Sequence, residues 1–245
     1  MRTESATSNF ESKKMKNFSA TRELIQEELS AKGYVILPNV LSKAECDFIQ
    51  NFYNDSSRYR NTINMERYRF GKGEYKYFNY PLPSKIQELR EEFYKPLVSV
   101  ANVWNELLSI DKRFPDHHHE LIEICKQHGQ LRPTPLILRY EKGGFNTLHQ
   151  DLYGEVYFPF QMLIVLSQRG IDFEGGEFVM TEQMPRAQSK AHVLTPNQGD
   201  AVIFTTNYRP VSGTGGFFKT KMKHGVSELT AGMRYALGII FHDAE

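Results

Sequence analysis

The spacing of apolar positions changes character near Leu131. Before it, apolar residues recur at helical intervals. Leu24, Ile25 and Leu29 sit among charges over residues 21–32, and Gly33 closes the run. Tyr34-Val35-Ile36-Leu37 reads as a short strand stopped by Pro38. Ser42-Lys43-Ala44-Glu45 has the S-x-x-E form of a capping box and opens a helix to about Tyr53. Ile86, Leu89, Phe93, Leu97, Val100 and Trp104 trace one stripe of a long amphipathic helix over residues 84–109, with a bend expected at Pro96. After Leu131 the apolar runs become short and are separated by Gly, Pro and Asn. Strands are expected over 134–140, 147–152, 159–167, 176–181, 191–195, 200–206, 223–228 and 233–242. Such a series of short strands with turn signals between them is the pattern of a sandwich or a jelly-roll barrel. Gly175-Gly176 and Gln198-Gly199-Asp200 supply tight turns.

Composition narrows this picture. At 245 residues the chain fits one large domain, or a β core with a helical addition. An aromatic share of 13% suits β architecture. The net charge of +1 argues against a uniformly basic coat for nucleic acid and leaves local patches open. Cys46 and Cys125 are far apart and form no disulfide framework or zinc knuckle, so a reducing, cytoplasmic setting is expected. Residues 1–20 are rich in Ser, Lys, Asn and Glu and are expected to form a disordered polar tail without an apolar signal core. No apolar run approaches membrane-spanning length, and no membrane partner is expected.

The candidate chemistry centres on Leu148-His149-Gln150-Asp151. Side chains two apart on a strand share a face, so His149 and Asp151 present an imidazole and a carboxylate side by side. That is two-thirds of the 2-His-1-carboxylate triad of non-haem Fe(II) sites. His224, on a later strand, can bring the third ligand across a folded barrel. Ten residues on, Arg234 heads a strand whose one face is small, with Ala236 and Gly238, and whose other is bulky, with Tyr235, Leu237 and Ile239. The small face leaves a slot beside the metal with a guanidinium at its end, suited to the distal carboxylate of a dicarboxylic acid such as 2-oxoglutarate. His192 and His242 are rival ligands, ranked below His224. His117-His118-His119 cannot converge on one ion, because adjacent helical residues point about 100° apart, and it reads as the first turn of a surface helix.

Residues 57–80 alternate basic and aromatic side chains, six of the one against Glu66 and Glu74. Two readings fit. One is a nucleic-acid surface, with cations on phosphates and aromatic faces under bases. The other, favoured on composition, is a hairpin turned at Gly71-Lys72-Gly73 with a buried aromatic face.

The block from Leu131 to Asp243 resembles the double-stranded β-helix of Fe(II)/2-oxoglutarate-dependent dioxygenases. Glu174-Gly175-Gly176-Glu177-Phe178 and Gln198-Gly199-Asp200-Ala201 resemble turns of the prolyl-hydroxylase-like branch. Arg139-Tyr140-Glu141-Lys142-Gly143 leading into Leu148-His149-Gln150-Asp151 resembles the AlkB nucleic-acid demethylases. Together with Arg132-Pro133-Thr134-Pro135-Leu136, Asp151-Leu152-Tyr153-Gly154-Glu155, Gly73-Glu74-Tyr75-Lys76-Tyr77-Phe78 and Gly238-Ile239-Ile240-Phe241-His242-Asp243-Ala244, these stretches look like a bacterial family described as oxygenases acting on damaged, methylated DNA. The resemblance implies an α+β fold: a jelly-roll core over residues 131–245, and a helical and hairpin layer over 21–130 packing on it. It implies metal ligation by His149, Asp151 and His224, with 2-oxoglutarate held by Arg234 and Tyr140. Leu138 and Ile240 depart from AlkB enzymes, which have an asparagine and a second arginine there.

The implied reaction couples oxidation of a C–H bond to decarboxylation of 2-oxoglutarate to succinate. On an N-methyl group it would release formaldehyde and repair the base. The expected cofactors are Fe(II), 2-oxoglutarate and O2, and the expected partner is methylated single-stranded nucleic acid. The alternatives are a hydroxylase of a protein side chain or small metabolite and, in another class, a non-catalytic barrel that binds a metal or ligand. Residues 57–80 and the glycine-rich basic loop Arg209–Lys223 are the candidate substrate lids.

Overall fold

The computed structural model describes residues 22–245, so the tail expected over 1–20 lies outside the described residues. The first part of the chain forms a helix over residues 22–32 (α1), β1 (Tyr34–Leu37), α2 (Lys43–Asn51), β2 (Tyr59–Asn64), β3 (Gly71–Lys72), β4 (Glu74–Phe78), α3 (Ser84–Leu107) and α4 (His118–Gln127). Then come β5 (Leu136–Glu141), β6 (Phe145–His149), β7 (Phe160–Val165), β8 (Phe173–Gly175) and β9 (Phe178–Gln183). The remaining strands are β10 (Lys190–Leu194), β11 (Ala201–Thr205), β12 (Tyr208–Gly213), β13 (Gly216–Val226) and β14 (Leu229–Ile240).

The strands build the expected jelly roll. The larger sheet runs β1-β11-β7-β14-β5-β4-β2, with β8 alongside β14. The smaller runs β10-β9-β13-β6-β3, with β12 alongside β13. Every pairing of these strands is antiparallel, and three join early segments to later strands: β1 on β11, β4 on β5 and β3 on β6.

Period-2 alternation decides where the cores sit. Leu237 and Ile239 of β14 face outward into the main core with Ile25 and Leu29 of α1, Leu97 and Trp104 of α3 and Leu121 of α4. Ala236 faces inward, into a second core between the sheets with Phe178, Met180, Phe204 and Met222. Each large apolar side chain so buried contributes about 1.5–3 kcal/mol. α2 starts as its sequence predicts: Ser42 accepts from the Glu45 amide, and the Glu45 carboxylate accepts from the Ser42 amide at 2.9 Å. α3 continues through Pro96 as one helix.

Four expectations are corrected. β6 ends at His149, so Asp151 lies in the connection beyond it rather than on the strand. Arg209–Lys223 is no loop, because most of it forms the paired strands β12 and β13, turning at Gly213–Gly216. β2 does pair with β4, but Gly71-Lys72 is not their turn: it crosses to the other sheet and pairs with β6. The helix after His117 is not wholly a surface one, since His118 is buried with Nε2 2.8 Å from the Phe241 carbonyl.

An ion pair buried on both sides ties α3 to the end of β14. Arg90 and Asp243 are 0% and 1% exposed and meet at 2.7 Å. Arg90 also donates to the Ile240 carbonyl at 2.9 Å and to the Tyr80 hydroxyl at 3.0 Å. Among the described residues, no helix is long and apolar enough to cross a membrane.

Two stability predictions follow from this packing. Arg90→Ala leaves Asp243 as an unpaired buried carboxylate and should cost about 3–5 kcal/mol in urea unfolding. Burial, then the charge of Arg90, pushes both His118 and His242 down to about 3. The unfolded chain takes up those protons near pH ~6.5, the folded chain only near the lower value. Stability should therefore fall as pH drops from the upper to the lower value, and His118→Gln should lessen the fall in urea midpoint.

Candidate active site

Strand register brings the first two donors together. On adjoining strands β13 and β6, His224 lies directly opposite His149, with ring centroids 4.3 Å apart. The approach is close: a Cβ at Gly225 would lie 2.6 Å from the Asn146 carbonyl, so glycine there lets the two backbones meet. His149 Nδ1 bonds to the Thr147 carbonyl at 2.7 Å, which turns Nε2 toward the cavity. Gln150 turns away, its amide reaching the Met222 carbonyl at 2.8 Å and Asn207 at 2.9 Å. With Gln150 anchored, Asp151 swings in. Its Oδ1 is 3.5 Å from His149 Nε2 and its Oδ2 is 3.3 Å from His224 Nε2. The three ligand atoms lie within 4.8 Å of one another, a set that can hold a metal ion.

The electrostatics suit a cation. Burial raises Asp151, but hydrogen bonds and charge from both histidines hold it well below the usual carboxylate range. Burial and the charge of His149 push His224 down, so it is a neutral donor. Tyr153, which the sequence offered only as part of the family resemblance and without a role, donates to Asp151 Oδ1 at 2.8 Å and accepts from the Tyr77 hydroxyl at 3.1 Å. Its position two residues after Asp151 was the available signal.

The three donors open into a cavity of about 280 Å³ whose lining also includes Tyr140, Gln161 and Arg234. Arg234 on β14 pairs in register with Tyr140 on β5. Arg234 is 1% exposed and packs beside Gly176, at φ +60°, where a Cβ would lie 2.6 Å from Leu229 Cδ1 and 3.2 Å from Arg234 Cδ. Arg234 Nη1, the Tyr140 hydroxyl and the Gln161 amide nitrogen are buried with no hydrogen-bond partner among the described residues. Burial pushes Tyr140 above its usual range, so its hydroxyl stays protonated as a donor at neutral pH. These unpaired donors ask for an anionic, acceptor-rich ligand.

All five residues singled out in the sequence thus line one cavity. The rivals do not: His192 Nε2 faces Glu182 at 3.5 Å, and His242 Nδ1 accepts from the Phe158 amide at 3.0 Å.

Residues 73–244 match the model of the Oxygenase-NA family, described as an oxygenase catalysing oxidative methylation of damaged DNA. The chain belongs to this family. An uncharacterized protein of Mycobacterium tuberculosis, Rv2227, is 41% identical over 167 residues, which is 68% of this chain and 72% of that protein. Among solved structures, an oxidoreductase of the 2OG-Fe(II) oxygenase family from Burkholderia pseudomallei is similar with TM-score 0.55 at 16% identity, covering 91% of each chain. A prolyl hydroxylase from Trichoplax adhaerens, solved with a hypoxia inducible factor peptide, gives TM-score 0.53 at 17% identity over 92% of this chain and 90% of that one. At such identities the likeness establishes the fold. This Oxygenase-NA member is therefore an oxygenase on the jelly roll of the Fe(II)/2-oxoglutarate enzymes. The cofactors of that fold, Fe(II) with 2-oxoglutarate and O2, fit what the cavity offers: three clustered metal donors beside unpaired buried donors for a carboxylate.

Calorimetric titration with Fe(II) or Co(II) under argon checks the donor set. His149→Ala and His224→Ala should abolish tight binding, whereas His192→Ala should retain it. Tyr153→Phe, which frees Asp151 Oδ1, should weaken it about tenfold.

Proposed function

We propose that this protein is an Fe(II)- and 2-oxoglutarate-dependent dioxygenase that removes methyl groups from damaged bases in single-stranded nucleic acid. His149, Asp151 and His224 would hold the iron, and Arg234 with Tyr140 would hold the distal carboxylate of 2-oxoglutarate. One observation carries the co-substrate assignment: a guanidinium 1% exposed, with Nη1 unpartnered, lining the same cavity as the metal donors. A buried cation with no ion-pair partner among the described residues is costly, and the carboxylate of a dicarboxylic acid offsets that cost. The substrate reading rests on the family description.

When bound, the iron with 2-oxoglutarate supplies the chemistry that splits O2, placing one oxygen atom in succinate as carbon dioxide leaves and the other in a substrate C–H bond. The protein's own contribution is geometric. Tyr153 occupies Oδ1 of Asp151 and so holds the carboxylate's orientation. Leu136, Leu138, Phe178 and Phe204 make the wall apolar and keep water away from the ligand. On an N-methyl substrate the product is an N-hydroxymethyl group, which releases formaldehyde and leaves N–H.

Succinate and formaldehyde release with and without N-methylated single-stranded DNA tests both parts. Stimulated succinate with matching formaldehyde is the expected result. Basal succinate that rises only with a peptide would move the substrate to proteins while keeping the cofactor chemistry. Arg234→Met should raise the KM for 2-oxoglutarate by about 30-fold or more.

A further inference from the structure

The basic and aromatic side chains of residues 57–80 sort into two groups once their contacts are known. Most are used internally. Arg58 pairs with Asp55 at 2.9 Å and lies 4.4 Å from the Phe52 ring centre. Arg60 lies 4.4 Å from the Tyr77 ring centre and donates to the Pro133 carbonyl at 2.9 Å. Lys76 sits 4.0 Å from the Tyr53 ring centre. Tyr77 and Phe78 are buried.

What remains is contiguous. Arg67, Tyr68, Arg69, Phe70 and Lys72 are all exposed, and none of the three cations enters an ion pair or cation–π contact among the described residues. Tyr68 and Phe70, 55% and 46% exposed, lie face to face with ring centres 5.5 Å apart and planes 17° from parallel. The segment is braced rather than loose. The Phe70 amide donates to the Met65 carbonyl at 3.1 Å, and the Thr147 amide and hydroxyl both reach the Phe70 carbonyl at 2.8 Å. Thr147 belongs to the strand that ends at His149, and Phe70 itself lines the active-site cavity. The platform and the metal donors are therefore fixed to one strand.

We propose that Tyr68 and Phe70 form a stacking platform at the cavity rim for a base flanking the target. On this proposal Arg67, Arg69 and Lys72 hold the adjoining phosphates of a single-stranded segment. Two stacked exposed rings extend an aromatic surface that a further π-face can continue. Three unpaired cations against one acid, Glu66, favour a polyanion over a neutral or basic peptide. The inference rests on the nucleic-acid reading of this site and adds which residues do the binding.

Fluorescence anisotropy of labelled, N-methylated single-stranded DNA on the full chain, with Fe(II) and 2-oxoglutarate under argon, tests it without turnover. Tyr68→Ala should weaken binding about tenfold, and Tyr68→Trp should retain it. Arg67→Gln with Arg69→Gln should reduce the slope of log affinity against log salt by about 1.4, two phosphates at ~0.7 each. Phe48→Ala, which removes another exposed ring on α2, should bind like the wild type. Wild-type binding that neither Tyr68→Ala nor the double arginine change alters would overturn the platform and leave the substrate class standing. No wild-type binding up to ~100 µM would overturn both.

Discussion

The site exists because two strands are held in one register. On a pleated sheet a slip of one residue would send every side chain to the opposite face. The pairing of His224 with His149, and of Arg234 with Tyr140, leaves no such freedom. Register is enforced from outside the site. Leu237 and Ile239 must meet the helical layer, and Met222 must meet the core between the sheets. The geometry of the metal donors is thus a by-product of burying apolar faces on both sides of each sheet. Hydrophobic packing does the holding, and the polar residues need only stand at the right parity.

Parity is also what made the site legible. The alternation Arg234, Ala236, Gly238 against Tyr235, Leu237, Ile239 announces a strand with one small and one bulky face, and the structure has that division. The same alternation runs through Lys219-Thr220-Lys221-Met222-Lys223-His224, where the lysines are exposed and their neighbours buried. It was hidden by the glycines around Gly215 and the density of charge, which imitate a loop. Arg90 was illegible for another reason. Its partner Asp243 is far away in sequence, and no periodicity reports a polar group whose burial is compensated by a distant one. Gln150 is anchored by partners 57 and 72 residues away, Asn207 and Met222, and falls under the same blindness.

The division of labour within residues 57–80 shows how composition misleads and informs at once. Half of its cations lie against the protein's own rings, where each contact contributes roughly 0.5–1 kcal/mol if exposed and more if desolvated. That is ordinary consolidation of a sheet edge. The remainder, Arg67, Arg69 and Lys72, makes no ion pair or cation–π contact among the described residues. Composition described both halves identically, and only the contacts tell them apart.

β14 is the latest of the strands in the chain and one of the most central in the larger sheet, flanked by β7 and β5. On the ribosome, which adds residues N-terminal first, the strands on either side of it emerge with a gap between them. The guanidinium-bearing wall of the cavity cannot form until that gap is filled. Until then the edges of β7 and β5 that β14 pairs with stay uncovered. A fold closed by its last central strand completes its sheet and its cavity in one event.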